Sequence, residues 1–216
     1  MNWAWLRNNQ QMIIDLLGQH LVQALLPVAA ALVLAIPLGY LLQRTGRASG
    51  PLLALIGLIY AIPSVALFVA LPLFLGTRIL DPLNIMVALA LYSLVLLLRS
   101  VVDGFASVPA DVRQAAAAMG LGGWRRWWQV DLPLALPVII AGLRVATVSN
   151  IALVSVGAVI GQGALGRLFD IGFSGAFYTP IIVGIVLSMA LALAADLLIL
   201  VGQWLVLPWT RNVRHA

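Results

Sequence analysis

Two charged side chains stand inside apolar stretches of this sequence, and they are the residues best placed to take part in chemistry: Arg144 and Asp196. A charge at the centre of a membrane-spanning helix costs about 3 kcal/mol or more, so each needs a partner or a water-filled route. At 1.5 Å per helical residue, Arg144 lies roughly 16 Å beyond Pro133 and Asp196 roughly 18 Å before Pro208. Because these depths are similar, we hypothesise an Arg144–Asp196 ion pair within one chain or between two. Separate contacts with water or backbone are the alternative.

Other polar residues share the face of Arg144 or interrupt a second apolar stretch. Thr147 and Asn150 follow Arg144 by three and six residues and lie on the same helical face. They could line a pathway with Arg144, or they could hold helices together through hydrogen bonds, a common use of small polar residues in membranes. Pro63 and Ser64 break the backbone hydrogen-bond ladder of another stretch. A helix broken there would form a gate or a pathway wall, and an ordinary kink fits the same residues.

A third group of residues is suited to packing and does no chemistry itself. Pro109 fits the first position of a helix, Asp111 suits its positive end, and the alanines at 115–118 are the strongest helix formers. Gly120 supplies the stop and Pro133 the restart of the chain. The pattern predicts a cytoplasmic docking helix whose alanine face lets another protein pack closely. A plain hairpin would contain the same residues.

The composition indicates which elements must position these residues. Of the 216 residues, 63% are hydrophobic and 9% are charged, and the mean hydropathy is +1.08. These values are typical of an integral membrane protein. A helix crosses a bilayer core with about 20 apolar residues. Five stretches qualify or nearly qualify, at 21–42, 51–75, 83–98, 134–160 and 180–207. We therefore predict a single all-α domain over 1–216, a polytopic transmembrane helical bundle of about five spans.

Missing residue types exclude several functions. All 12 basic residues are Arg and all 7 acidic residues are Asp, so no lysine is present for a Walker-type phosphate loop, and any nucleotide must be bound by a partner. With no Cys, disulfides and thiolate chemistry are excluded. His20 and His215 stand far apart, so we expect no metal site. A membrane enzyme would need a nucleophile–base pair, a metal cluster or paired carboxylates, which the pattern does not offer.

The arginines predict how the bundle sits in the membrane. The joining segments expected on one side hold Arg44, Arg47, Arg99, Arg113, Arg125, Arg126, Arg211 and Arg214, and those on the other side hold Arg7, Arg78 and Arg167. By the positive-inside rule, the N terminus lies outside and the C terminus lies in the cytoplasm. Trp3, Trp5, Trp124, Trp127 and Trp128 are expected at the interfaces. The net charge of +5 therefore indicates membrane lipid, and not nucleic acid, as a partner.

Several segments together resemble the membrane-spanning permease subunits of bacterial ABC importers. The cytoplasmic signature of that family is Glu-Ala-Ala, three residues, Gly, nine residues, then Ile-x-Leu-Pro. Residues 114–116, Gly120 and 130–133 reproduce its spacing, with Gln114 in place of Glu and Val130 in place of Ile. The segments at 62–67, 98–104 and 160–166 resemble those of the osmoprotectant branch, which handles glycine betaine, choline and carnitine. The likeness extends from about Leu21 to Tyr178.

This resemblance implies a type I importer core like that of the methionine importer, and a mechanism. Two permease subunits, identical or homologous, form the pathway in the bacterial inner membrane. Separate ATPase subunits bind ATP and Mg²⁺, and an extracytoplasmic binding protein delivers the solute. The segment at about 105–132 would couple to the ATPase, through Pro109, Asp111, Gln114, Ala115, Ala116, Met119, Gly120, Leu132 and Pro133. The pathway would be lined by Tyr60, Pro63, Ser64, Arg144, Thr147, Asn150 and Asp196.

Two other transport functions compete with this interpretation. Amino-acid importers such as the methionine type share the signature and the glycine-rich segment, so the solute class stays open between them. A channel or secondary transporter should show internal repeats with matching broken helices, and we find no convincing repeat. Tyr60 and Tyr92 are too few to build an aromatic cage for a quaternary ammonium ion. Strong solute selection is therefore expected of the separate binding protein.

Overall fold

A computed structural model describes residues 1–210, and every regular element in that range is helical. The α-helices are α1 (Trp3–Asn8), α2 (Gln10–Arg44), α3 (Ser49–Gly57), α4 (Ser64–Leu75), α5 (Pro82–Ala106), α6 (Ala110–Ala118), α7 (Gly123–Arg126), α8 (Leu132–Val156), α9 (Arg167–Ser174) and α10 (Tyr178–Val206). Short 3₁₀ turns join several of them. Arg211, Arg214 and His215, which the sequence analysis considers, lie outside the described residues.

Four helical segments of this range are long and apolar enough to cross a membrane, and a bent pair makes a fifth span if its halves count as one. The straight segments are Gln10–Arg44, Pro82–Ala106, Gly123–Ile160 and Tyr178–Val206, and the bent pair is Gly46–Ala61 with Ser64–Leu75. The predicted all-α bundle of about five spans is confirmed. Helix α5 extends beyond the predicted 83–98, so Arg99 lies inside a helix and not in a joining segment.

The centre of the bundle is formed by α2, α5 and α8, each packed against the other two. Their shared core is built from small and branched side chains, including Ala31, Ala35, Val101 and Ile139. Small residues allow the close approach: a Cβ added at Gly39 would lie 2.5 Å from the Val101 Cγ1 atom. Helix packing in lipid depends on such contacts, because lipid and side chains are equally apolar.

Helix α2 begins at Gln10, well before the predicted start of the first span at residue 21. Its 35 residues correspond to about 52 Å, more than a bilayer core needs. The early turns stay helical because they bury Leu16 and His20, with Leu16 in a cluster that includes Leu165 and Leu168. The His20 Nε2 atom lies 2.9 Å from the carbonyl oxygen of Ile151, so this histidine is a packing residue.

The second span is broken at Pro63, and the two halves meet at 96°. Of the two alternatives left by the sequence, the broken helix is the one present. Proline removes a backbone donor and disfavours helix at the preceding residue, Ile62, whose ψ is 128°. The Tyr92 hydroxyl donates to the Ile62 carbonyl at 2.7 Å and so satisfies a backbone group that the break frees.

The fourth span starts earlier than the sequence predicts. Helix begins again at Gly123, passes through a π-helical turn at Trp127–Asp131 and continues into α8, so Pro133 lies inside a continuous helical run and does not restart it. Proline lacks the donor for an ordinary helical bond, and the wider π turn just before it accommodates that loss. Residues 119–122 separate α6 from this run.

Candidate functional site

Helix α6 presents one face to its surroundings and the other to the bundle. Asp111, Gln114, Ala115 and Met119 are exposed and recur at helical spacing on one side, with Met119 75% exposed. Ala116 points the other way and is 2% exposed. We call the exposed set, with Ala118, the α6 face. Its small side chains lie around one large thioether, a surface that allows another backbone to approach closely.

Both ends of α6 follow local rules. Pro109 is the N-cap residue, with a ψ of 142°, so the helix begins at Ala110, one residue later than predicted. At the other end Gly120 has a φ of +80°, a left-handed conformation that favours glycine. The Gly120 amide donates to the Ala117 carbonyl at 3.0 Å and the Leu121 amide to the Ala116 carbonyl at 3.1 Å. This paired arrangement caps the helix C terminus and fixes where the α6 face ends.

A buried carboxylate anchors α6 to the start of the fourth span. The Arg113 Nε atom donates to Asp131 Oδ1 at 3.1 Å, and the Arg113 Nη2 atom donates to the carbonyl of Phe105. Arg126 Nε lies 3.4 Å from Asp131 Oδ2. The Asp131 side chain is 3% exposed, so one buried carboxylate contacts two partly exposed arginines.

This anchor was missed by the sequence analysis. Its signal was a lone acidic residue, Asp131, directly before a Leu-Pro pair in a chain with only seven acidic residues. Leu132, a predicted coupling residue, is 9% exposed and packs in the central core, and Pro133 is half-buried. Leu132 therefore supports α8 from within, and neither residue belongs to the α6 face, nor does the buried Ala116.

The hypothesised ion pair is present within the chain. Arg144 Nε donates to Asp196 Oδ1 at 2.6 Å and Arg144 Nη2 to Asp196 Oδ2 at 2.8 Å, a two-point contact between α8 and α10. The arginine side chain is 34% exposed and the aspartate 25%. Each charge thereby meets the partner that membrane depth requires.

Thr147 and Asn150, two of the residues predicted to line a pathway, are buried in this chain and do not line an open surface. Thr147 is 2% exposed and donates to the Leu143 carbonyl of its own helix at 2.8 Å. Asn150 is 1% exposed and donates to the Ala24 carbonyl of α2 at 3.2 Å. The second role considered for these residues, holding helices together, therefore applies to Asn150. The rotation of α8 turns this face inward, and spacing along a helix does not reveal such a rotation.

Tyr60 lies at a groove of about 490 Å³ between α3, α5 and α8. Its ring is 42% exposed and meets the Tyr92 ring edge-on at a centroid distance of 5.3 Å. Arg99 and Asp103 line the same groove and were not predicted as site residues. Pro63 is exposed beside the bend and Ser64 is half-buried. The lining of this groove includes neither the Arg144–Asp196 pair nor the bend, so the structure does not bring the predicted pathway residues into one site.

A family model matches most of the sequence. The family is described as the binding-protein-dependent transport system inner membrane component, and the match covers residues 20–205. The chain belongs to this family. The permease, as we now call it, is therefore a multi-pass inner-membrane component of a transport system that also has a binding protein and an ATPase. It is not itself an enzyme, because ATP hydrolysis in such systems belongs to a separate subunit.

Curated relatives cover nearly the whole permease. The osmoprotectant import permease protein OsmW of Salmonella typhimurium is 36% identical over 198 residues, 90% of this chain and 92% of that protein. The glycine betaine/carnitine/choline transport system permease protein OpuCB of Bacillus subtilis is 30% identical over 207 residues, 95% of this chain and 93% of that protein.

A solved structure has the same fold. An inward-facing form of the MetNI methionine ABC transporter superposes with a TM-score of 0.76 at 20% identity, covering 89% of the permease and 96% of that chain. The predicted type I importer core is thereby confirmed.

Proposed function

We propose that the permease forms the membrane pathway for a compatible solute, of the glycine betaine, choline or carnitine class, in an ATP-driven importer. The names of the relatives carry this proposal, since both are permeases for osmoprotectants or quaternary amines. The likeness to a methionine transporter is at 20% identity and concerns the fold. It therefore does not favour an amino-acid solute.

The α6 face is proposed as the surface that docks to the ATPase, and the observation that carries this proposal is its combination of exposure and anchoring. The face is open and lined by small residues, while Arg113 fastens its helix to Asp131 at the start of α8. A push or pull on α6 would therefore reach the central bundle through a rigid contact. ATP and Mg²⁺ would be held by the ATPase, since this chain has no lysine for a phosphate loop.

The pathway is proposed to run along the face that holds Tyr60 and the bend at Pro63 and Ser64. The groove beside Tyr60 also carries Arg99 and Asp103, opposite charges that suit a small zwitterion. The Arg144–Asp196 pair would keep α10 in place against α8. A second permease subunit, identical or homologous, would complete the pathway, with the N terminus outside and the C terminus in the cytoplasm.

The proposal is tested by transport in proteoliposomes that contain the permease, its ATPase and its binding protein. Uptake of radiolabelled glycine betaine should require ATP inside the vesicle and binding protein outside, and choline or carnitine should compete. Methionine uptake under the same conditions, with no uptake of quaternary amines, would overturn the proposed solute class.

The docking role is tested with two tryptophan substitutions on one helix. Ala115→Trp places a bulky ring on the α6 face, whereas Ala117→Trp places it on the exposed flank. Both residues are solvent-exposed, so neither change should disturb folding. We expect Ala115→Trp to reduce both ATPase association and transport at least tenfold and Ala117→Trp to retain most of each. Full coupling in the Ala115→Trp variant would contradict the docking role.

A further inference from the structure

The end of α2 and the tryptophan-rich turn before α8 enclose a second groove, of about 460 Å³. Its lining includes Tyr40, Leu41, Arg44, Trp124, Arg126 and Trp127. This surface, which we call the tryptophan groove, is separate from the α6 face and from the Tyr60 groove. It lies where a transmembrane helix ends, at the level expected for lipid headgroups.

The groove carries unbalanced positive charge. Arg44 is exposed, with its guanidinium carbon 5.8 Å from the centre of the Tyr40 ring, and it has no acidic partner within 4 Å in residues 1–210. Arg126 contacts Asp131, but that carboxylate is shared with Arg113. Three guanidiniums and one buried carboxylate leave a local surplus of two positive charges.

The walls of the groove are aromatic and amphipathic. Trp124 stacks on Trp127 with a centroid distance of 5.3 Å and an interplanar angle of 15°, and Tyr40 meets Trp127 edge-on at 5.8 Å. Trp124 is nevertheless 71% exposed. The indole nitrogen of Trp127, a side chain that is 9% exposed, has no hydrogen-bond partner in the described part of the chain. Such rings favour the boundary between headgroups and acyl chains.

An apolar track leads from the groove along α2. Leu34, Leu38 and Leu41 are 53%, 42% and 58% exposed and recur at spacings of four and three residues, so they share one helical face. This face ends at Arg44. The arginine at the membrane surface therefore adjoins an apolar stripe that runs toward the bilayer centre. This arrangement is complementary to an anionic phospholipid, whose negative headgroup adjoins apolar acyl chains.

We infer that the tryptophan groove binds the headgroup phosphate of an anionic phospholipid, with the acyl chains along the leucines of α2. Guanidinium groups match phosphate oxygens in geometry and charge. The surplus positive charge selects a lipid with net negative charge over a zwitterionic one, whose own ammonium group is repelled. Arg126 contacts Asp131, and Asp131 also contacts Arg113 of α6. A phosphate bound at Arg126 is therefore linked to α6 through this shared carboxylate. This inference depends on the position of the chain in a membrane and not on the identity of the solute.

The test measures lipid binding to the full-length permease, purified in detergent and in its assembled transporter. Brominated phosphatidylglycerol and brominated phosphatidylethanolamine quench tryptophan fluorescence on contact, and three of the seven tryptophans lie in the turn beside this groove. Arg44→Gln removes an arginine that lines the groove. Arg47→Gln is the matched control, because Arg47 is exposed three residues away and is not part of the lining. Trp124→Ala is a second groove variant that leaves every charge in place.

We expect half-maximal quenching at a clearly lower concentration of phosphatidylglycerol than of phosphatidylethanolamine. Arg44→Gln should raise that concentration about fivefold, the usual effect of one arginine near an anionic lipid. Trp124→Ala should also weaken binding, and Arg47→Gln should change it less than twofold.

Four results would overturn the inference. Equal binding of the two lipids would remove the charge selectivity. Equal effects of Arg44→Gln and Arg47→Gln would indicate general surface attraction with no defined site. Competition by inorganic phosphate or glycerol phosphate at the same concentration as the lipid would show that the groove binds free anions. Loss of lipid binding on addition of the ATPase would show that the groove is a contact surface between subunits.

Discussion

The Arg113–Asp131 contact is the attachment on which α6 depends, so removing the carboxylate should release the helix. Helix α6 has nine residues, too few for a stable isolated helix, and Ala116 is the only one of them that is buried. In residues 1–210, the side-chain hydrogen bonds that tie α6 to other elements are those from Arg113 to Asp131 and from Arg113 to the Phe105 carbonyl. Asp131→Asn keeps the shape of the side chain and removes its charge, which makes it the appropriate substitution.

The size of the effect follows from the geometry. A hydrogen bond to a charged group contributes about 1.5–3 kcal/mol. The arginine side chains are 27% and 31% exposed, so solvent screens part of the interaction. We therefore expect a loss near the lower limit, about 1.4 kcal/mol, which is a tenfold increase in the population with α6 detached.

Hydrogen exchange followed by mass spectrometry measures this population directly. In the Asp131→Asn permease, peptides covering residues 107–121 should lose about tenfold protection, while peptides from α10 should be unchanged. Asp170→Asn is the matched control, since it removes the same charge from an exposed position on α9. Protection of α6 that stays within twofold of the unsubstituted permease would refute the reasoning, because α6 would then be held by something other than this contact.

Three further predictions concern the packing of the bundle. Gly39→Ala should destabilise the permease by about 1–3 kcal/mol in thermal unfolding, because the new methyl meets a side chain of α5 at 2.5 Å. Gly18 lies on the same helix, but a methyl added there would have no neighbour within 4 Å, so Gly18→Ala should not destabilise the protein. Equal effects of the two substitutions would contradict the close packing at Gly39. Tyr92→Phe should cost about 1–3 kcal/mol, since it leaves the carbonyl at the bend unsatisfied, and an unchanged melting temperature would argue against that role. Arg144→Gln and Asp196→Asn should each reduce thermal stability, and the double variant should lose less than their sum; strict additivity would mean that the two charges do not interact.

The sequence predicted the features that depend on local rules or on total apolar area. Helix α6 was predictable because its proline, alanines and terminal glycine act within a few residues of one another. The Arg144–Asp196 pair was predictable because membrane burial requires each charge to find a partner, and similar depth left few choices. The spans were predictable from apolar length.

The remaining features depend on how distant segments meet. Asp131 gained its role from Arg113, eighteen residues earlier in the chain, which no local pattern specifies. Pro63 predicted a break, but the 96° angle is an arrangement in which Tyr92 of another helix bonds the freed carbonyl. Helical spacing grouped Asn150 with Arg144 on one face, and only the packing of α2 against α8 shows that this end of the face is buried.

Cross-linking tests most directly whether the α6 face contacts the ATPase. The chain contains no cysteine, so Ala115→Cys introduces a single thiol that can carry a photoreactive benzophenone maleimide. Phe173→Cys places the same probe on α9, at a residue that is 79% exposed. In the assembled transporter, we expect illumination to link the ATPase to Ala115→Cys and not to Phe173→Cys. No ATPase adduct at Ala115→Cys, or equal yields at the two positions, would contradict the proposed coupling surface.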